Sequence, residues 1–212
     1  NALILESARK DADLSQLLNR ASLSLPDGAG VLWAAQKMGT PLIERVAGID
    51  FGAAILARAE RAGLRVFLLG GGEGVARRAA ENLRKKHPRL CICGTTWGYF
   101  ERTGEENLRV ISHIRACRPD ILFVCMGFPV QERWVVENLH YLTDLRVIAC
   151  LGGSLDVWAG DLRRAPAWMS NVGLEWMWRM LRQPKRLAAL PEMVSFWWHV
   201  PPKEEITAQN PL

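Results

Sequence analysis

The sequence predicts an α/β fold: a Rossmann-like, mainly parallel sheet with helices on both faces, followed by a C-terminal helical appendage. Three observations predict it. Short apolar runs alternate with helical-period segments from Arg65 to Leu151, the order expected of parallel βαβ units. Ile121-Leu122-Phe123-Val124-Cys125 is apolar throughout, as a strand covered on both faces requires. Past Gly160 the composition shifts to arginine, lysine and tryptophan with interrupting prolines. These changes set the expected organisation: a core over 1–160, an appendage over 161–200 and a polar tail over 201–212.

Taken in order, Leu3 to Leu18 has apolar residues at helical spacing. It holds Asp11-Ala12-Asp13, a formal D-x-D pair, but on an amphipathic charged stretch that reads as a solvated helix face. Leu23-Ser24-Leu25 reads as a short buried strand. Pro26-Asp27-Gly28 turns the chain into a helix from Gly28 to Met38, and a second helix runs from Phe51 to Ala62, stopped by Gly63. Arg65 to Leu69 is a strand, followed by Gly70-Gly71-Gly72-Glu73-Gly74 and a helix to about Lys86. Leu90 to Cys93 is a strand; Gly94 to Gly104 is a loop with Trp97, Tyr99 and Phe100. Glu105 to Cys117 is a helix ended by Arg118-Pro119. After the 121–125 strand, Gly127-Phe128-Pro129 opens a helix from Val130 to about Tyr141. Arg146 to Leu151 is the last clear strand, closed by the Gly152-Gly153-Ser154 loop. Ala165-Pro166 opens a helix toward Arg182, Pro184 interrupts it, and Pro191 starts another that carries Met193 to Val200.

Composition excludes several classes. About half the residues are apolar, so the chain is not disordered. No apolar run reaches the roughly eighteen residues needed to cross a bilayer, and no signal peptide is visible. The five cysteines lack a CxxC and the four histidines are scattered, which argues against a metal site and for thiols in a reducing cytosol. The net charge is +5. Residues 163–186 hold six basic side chains and one acid, and the rest of the chain is balanced. The charge is a local patch suited to phosphate or an anionic surface, not a general nucleic-acid-binding character. Trp168, Trp176, Trp178, Trp197 and Trp198 fall in the same late region, and tryptophan beside Arg and Lys is the composition of a membrane interface. The late segment is expected to face a membrane, with Phe196, Trp197 and Trp198 entering the headgroup layer. A chain ending near Gly160 is expected to stay folded while losing lipid binding and most activity.

Several residues stand where chemistry is done. Asp27 lies at a strand-to-helix turn, the end of an open α/β sheet where ligands bind; it equally suits a helix cap. The glycines after Leu69, beginning Gly70-Gly71, suit either a phosphate cradle or close strand-helix packing. A dinucleotide fold wants an acid about twenty residues further on, and Leu90 to Gly98 has none, which argues against NAD. Gln131 suits sugar hydroxyls or a helix-end hydrogen bond, and Asp156 suits a ribose or uracil donor or a turn. Two other classes stay open on the residues alone: another nucleotide-dependent enzyme on a Rossmann-like sheet, and a non-catalytic membrane-docking module.

Ordered blocks over most of the chain then resemble one family. They are Pro26-Asp27-Gly28-Ala29-Gly30, Arg45 to Asp50, Phe67 to Gly71, Gly98-Tyr99-Phe100, Pro119 to Leu122, Gly127 to Glu132, Gly152 to Gly160, Arg164-Ala165-Pro166, Gly173 to Trp176 and the Arg179 to Arg186 run. The sequence resembles the WecG/TagA/CpsF glycosyltransferases. The resemblance implies an inverting transfer of N-acetylmannosamine, or a related sugar, from a UDP sugar to polyprenyl-diphosphate-linked N-acetylglucosamine, in cell-surface polysaccharide or teichoic-acid synthesis. It implies Asp27 as general base with Arg45, Arg179 and Arg186 as catalytic cations. It places Asn1, Gly70, Gly71, Gly127, Gln131, Gly152, Gly153 and Asp156 around the nucleotide sugar. No cofactor and no metal are expected. The expected partners are UDP-N-acetylmannosamine, the lipid-linked acceptor and the membrane surface, with no nucleic acid; a homo-oligomer is left open. The expected location is the cytoplasmic face of the bacterial cell membrane, held peripherally. Of the family's early strand and T-x-N motif only Asn1 is present, so part of the site is expected outside this chain. The stretch Leu187 to Val200 lacks the further basic residues of family tails.

Overall fold

The computed structural model describes residues 1–166, 169, 177, 178, 180, 187, 188 and 190–202. They form two compact units, residues 48–164 and residues 1–47 together with 165–212. The elements are α1 (Ala2–Lys10), α2 (Ala12–Asn19), α3 (Ala29–Lys37) and α4 (Gly48–Ala62). They continue with β1 (Arg65–Gly70), α5 (Val75–Lys86), β2 (Cys91–Thr96), α6 (Gly104–Ala116), β3 (Ile121–Cys125) and α7 (Val130–Asn138). A 3-10 turn (Leu139–Tyr141), β4 (Val147–Cys150), α8 (Ser154–Ala159) and α9 (Leu190–His199) complete the described set.

The 48–164 unit is the predicted parallel sheet, with strand order β2-β1-β3-β4. Every pairing is parallel, and β1 and β3 run in register from Val66↔Ile121 to Gly70↔Cys125. Alternation along each strand sends side chains to two cores. Val66, Leu68, Ile121 and Phe123 meet Leu56 and Ala59 of α4, Ala76 and Ala79 of α5, and Leu155 of α8. Phe67, Leu69, Leu122 and Val124 meet Val110, Ile111 and Ile114 of α6 and Trp134 of α7. Helices therefore cover both faces. The order reverses between β1 and β3, which places the switch point of the sheet beside Gly70 and Met126.

The second unit is helical. α1 packs on α9, and Ala34, Phe196 and Val200 form a small apolar cluster with Ala2 and Trp33. Glu6 of α1 is buried, 1% exposed. Arg9 donates to it through Nε and Nη2 at 2.9 Å, Lys10 Nζ lies at 3.3 Å, and Ser195 Oγ donates at 2.6 Å. These groups, Arg9 foremost, hold the Glu6 carboxyl at about 2, below the ordinary 4.5. A lowered folded value stabilises the fold above the unfolded pKa, and that contribution is lost as pH falls toward the folded value. Glu6→Gln is therefore expected to melt at lower temperature than the parent at pH 7, and the gap is expected to close between pH 4.5 and about 2. Circular dichroism melts across that range check this; a constant gap contradicts it.

Several expectations are corrected. Leu23-Ser24-Leu25 pairs with no strand, and Leu23 is 63% exposed. The helix expected from Leu3 to Leu18 breaks at Asp11, whose Oδ1 accepts from Leu14 N at 3.0 Å and caps α2. Half of the D-x-D pair is thus a helix cap, and among the described residues no three His, Cys, Asp or Glu side chains gather as metal ligands. β2 runs on to Thr96, through what reads as loop, because Phe67↔Gly94 and Leu69↔Thr96 continue its pairing. Phe196 is buried and does not reach a headgroup layer; Trp197 and Trp198 are exposed. Among the described residues no helix is long and apolar enough to cross a membrane.

Candidate active site

In the helical unit the chain brings Asn1, Asp27 and Arg45 together at the level of the backbone. Pro26 O accepts from Val46 N at 3.0 Å, which ties the Pro26–Gly30 block to the segment carrying Arg45. A Cβ on Gly28 would stand 3.9 Å from Asn1 Cβ. Gly28 occupies the cap position of α3 with φ +100, a conformation that suits glycine. Asp27 therefore stands one residue before the cap, half-buried, beside the N-terminus of α3. Asn1 Oδ1 accepts from Ile4 N at 3.2 Å and caps α1. Arg45 is half-buried. Arg179 and Arg186 lie outside the described residues.

In the sheet unit the nominated residues gather at the carboxyl ends of β3 and β4. Gln131 is buried, and it joins the two turns. Its Oε1 accepts from Gly152 N at 3.0 Å and its Nε2 donates to Glu132 Oε1 at 2.7 Å. One Nε2 hydrogen and one Oε1 lone pair of the amide remain after these two bonds. Gly127 has φ +81 and Gly152 φ +55. Asp156 lies in the first turn of α8, not in a loop, with Oδ2 3.5 Å from where a Gly153 Cβ would be. Burial first, and then Asp161, push its carboxyl up. Arg164 holds Asp50 with two bonds, at 2.5 and 2.6 Å, which fixes Arg164 to the start of α4.

Gly70 and Gly71 have a packing explanation. A Cβ on Gly70 would lie 2.2 Å from Cys125 O, so β1 and β3 can approach here only without a side chain. Gly71 N donates to Cys125 O at 3.1 Å and Gly71 O accepts from Gly98 N at 2.9 Å. The Gly71 N–H that would face a phosphate in a cradle is thereby engaged within the sheet.

One residue was not singled out from the sequence. Glu132 follows Gln131 in the same block, and a first-turn acid ordinarily answers the helix dipole. Its Oε2 is buried and has no hydrogen-bond partner among the described residues. Burial pushes its carboxyl up. A buried carboxylate oxygen left unmatched is costly, so a proton or a ligand donor is the natural complement.

Comparison with known proteins adds to this geometry. Residues 1–207 match the glycosyl transferase WecG/TagA/CpsF family. The chain belongs to that family. A Bacillus subtilis relative is 32% identical over 195 residues, covering 91% of this chain and 74% of the relative. A Bacillus spizizenii relative is 34% identical over 182 residues, covering 84% and 69%. A Staphylococcus aureus relative is 32% identical over 185 residues, covering 87% and 71%. All three are named N-acetylglucosaminyldiphosphoundecaprenol N-acetyl-beta-D-mannosaminyltransferase. This member of the WecG/TagA/CpsF family thus carries the blocks of a glycosyltransferase on a four-stranded parallel sheet and a separate helical unit.

Proposed function

We propose that this glycosyltransferase moves N-acetylmannosamine from its UDP sugar to polyprenyl-diphosphate-linked N-acetylglucosamine, with inversion, as a peripheral protein at the inner face of the bacterial membrane. The observation that carries this is 32% identity across 91% of the chain to a relative of that name. The printed name specifies a β product, and one in-line displacement on an α-linked UDP donor gives β. A sugar hydroxyl is a poor nucleophile and needs a base as it attacks the anomeric carbon. Asp27 is assigned that role: it is a half-buried carboxylate at a helix N-terminus, neighboured in the fold by Asn1 and the Arg45 segment. The proton passes from the acceptor hydroxyl to Asp27 while the bond to the UDP oxygen breaks. The departing diphosphate gathers negative charge, and guanidinium groups match phosphate oxygens in geometry as well as sign. Arg45, Arg179 and Arg186 are assigned there. Gly127, Gln131, Gly152, Gly153 and Asp156 are assigned to the nucleotide sugar, and the open amide positions of Gln131 support its part. Glu132 joins them: its buried Oε2, which has no partner among the described residues, is assigned to the nucleotide sugar.

The test is turnover of UDP-N-acetylmannosamine with a short-chain polyprenyl-diphosphate N-acetylglucosamine acceptor, with and without excess EDTA. Transfer is expected in both. Loss with EDTA and restoration by magnesium or manganese contradicts the arginine assignment; no transfer in either contradicts the function.

A further inference from the structure

α9 is apolar on two faces. One face, with Phe196 and Val200, is buried against Ala34. The other, with Leu190, Val194 and Trp198, is exposed, Trp198 by 88%. A helix that only packs on a core needs one apolar stripe, and exposed apolar surface of this kind marks an interaction site. The exposed face continues into a groove of about 660 Å³, lined by Trp33, Lys37, Trp197, Trp198, Pro201 and Pro202. The Trp33 and Trp197 rings lie 4.3 Å apart between centroids.

The groove carries a cation. Lys37 Nζ is 5.3 Å from the Trp33 ring centroid and donates to Val200 O at 2.6 Å. An ammonium has three donors, and no carboxylate pairs with this one among the described residues. Aromatic and proline walls with one fixed cation suit an apolar chain that bears a negative head. Lys37 and Trp33 also lie on α3, whose N-terminal end adjoins Asp27. Lys37 is about 12 Å along the helix axis from Ala29. The acceptor has the same order: a reacting sugar, a diphosphate, then a branched hydrocarbon tail.

We propose that this groove holds the first isoprene units of the acceptor's polyprenyl tail, with Lys37 meeting the diphosphate. The inference rests on the acceptor assigned above. It adds a binding subsite on the helical unit that is distinct from the residues given to chemistry and to the nucleotide sugar.

The test is isothermal titration calorimetry of the full chain with farnesyl diphosphate, which has no sugar and needs no turnover. Farnesyl diphosphate is expected to bind at least about tenfold more tightly than inorganic pyrophosphate. Trp198→Ala and Lys37→Met are each expected to weaken it about tenfold, as expected for loss of one aromatic contact or one ionic contact. Trp198→Ala should keep the parent's circular dichroism melt, since Trp198 is exposed; Lys37→Met should stay folded with a somewhat lower melt, since Met keeps the stem but loses the bond to Val200 O. Equal affinity for farnesyl diphosphate and pyrophosphate overturns the proposal, as does unchanged farnesyl diphosphate binding in both variants. So does loss of binding to phosphatidylglycerol vesicles in Trp198→Ala with farnesyl diphosphate binding intact, which makes the face a membrane dock instead. Binding through the groove with no transfer of N-acetylmannosamine supports the groove and counts against the assigned reaction.

Discussion

Asp27→Asn is expected to keep the fold and UDP-sugar binding while turnover falls by about a hundredfold or more, the usual loss when a general base is removed. The substitution is nearly isosteric and deletes the proton acceptor. α3 should survive it, because its cap position belongs to Gly28, which has no side chain to lose. The Pro26–Val46 hydrogen bond is between backbone atoms and is unaffected. A structural role for Asp27 predicts a lower melting temperature with turnover reduced only in proportion to folded protein. A base predicts a lowered kcat, an unchanged melt and an unchanged dissociation constant for the UDP sugar. Full turnover in the folded variant removes Asp27 from the reaction.

Ending the chain at Gly160 is expected to have a larger effect than any single substitution. From the sequence, the segment after Gly160 reads as a separable lid whose loss leaves a folded core. The packing of α9 supports a different expectation. Phe196 and Val200 are buried with Ala34, Ser195 bonds the buried Glu6, and Lys37 bonds Val200 O. Burying one such apolar side chain contributes roughly 1.5–3 kcal/mol, against a total stability of about 5–15 kcal/mol for a typical domain. The truncated chain is expected to lose the fold of residues 1–47, expose Trp33 and Ala34, aggregate on warming and show no transfer. The 48–164 unit has its own two-faced core and is expected to keep a cooperative transition. Differential scanning calorimetry with a transfer assay reads both. A soluble truncated chain with the parent's melt and activity contradicts this packing account.

The sheet was legible because its signals are local. Ile121–Cys125 is a strand to the residue, since an uninterrupted apolar run between Pro119 and Gly127 admits little else. β1, α5 and α6 follow from the same contrast of period and punctuation. The helical unit was less legible. Apolar spacing continues across Asp11, so the break between α1 and α2 depends on one side-chain cap rather than on pattern. Leu23 and Leu25 alternate as a strand would, but no neighbouring strand offers them pairing. α8 is six residues between Gly153 and Gly160, so glycine punctuation masked a helix that the short run could not announce. In the candidate site, the residues Asp27, Arg45 and Gln131 were legible as types on turns. The bonds that place them within each unit were not: the Pro26–Val46 and Gln131–Gly152 bonds span 20 and 21 positions. Glu132 was hidden for the same reason, because its buried oxygen is a property of packing and not of spacing.

The most direct measurement of the central claim is the anomeric configuration of the sugar joined to the acceptor, read by NMR on the purified product of UDP-N-acetylmannosamine and a short-chain polyprenyl-diphosphate N-acetylglucosamine. A general base acting in one displacement predicts a β-linked N-acetylmannosamine, formed about a hundredfold or more slowly by Asp27→Asn under the same conditions. An α-linked product, or release of free N-acetylmannosamine with the acceptor unchanged, contradicts it.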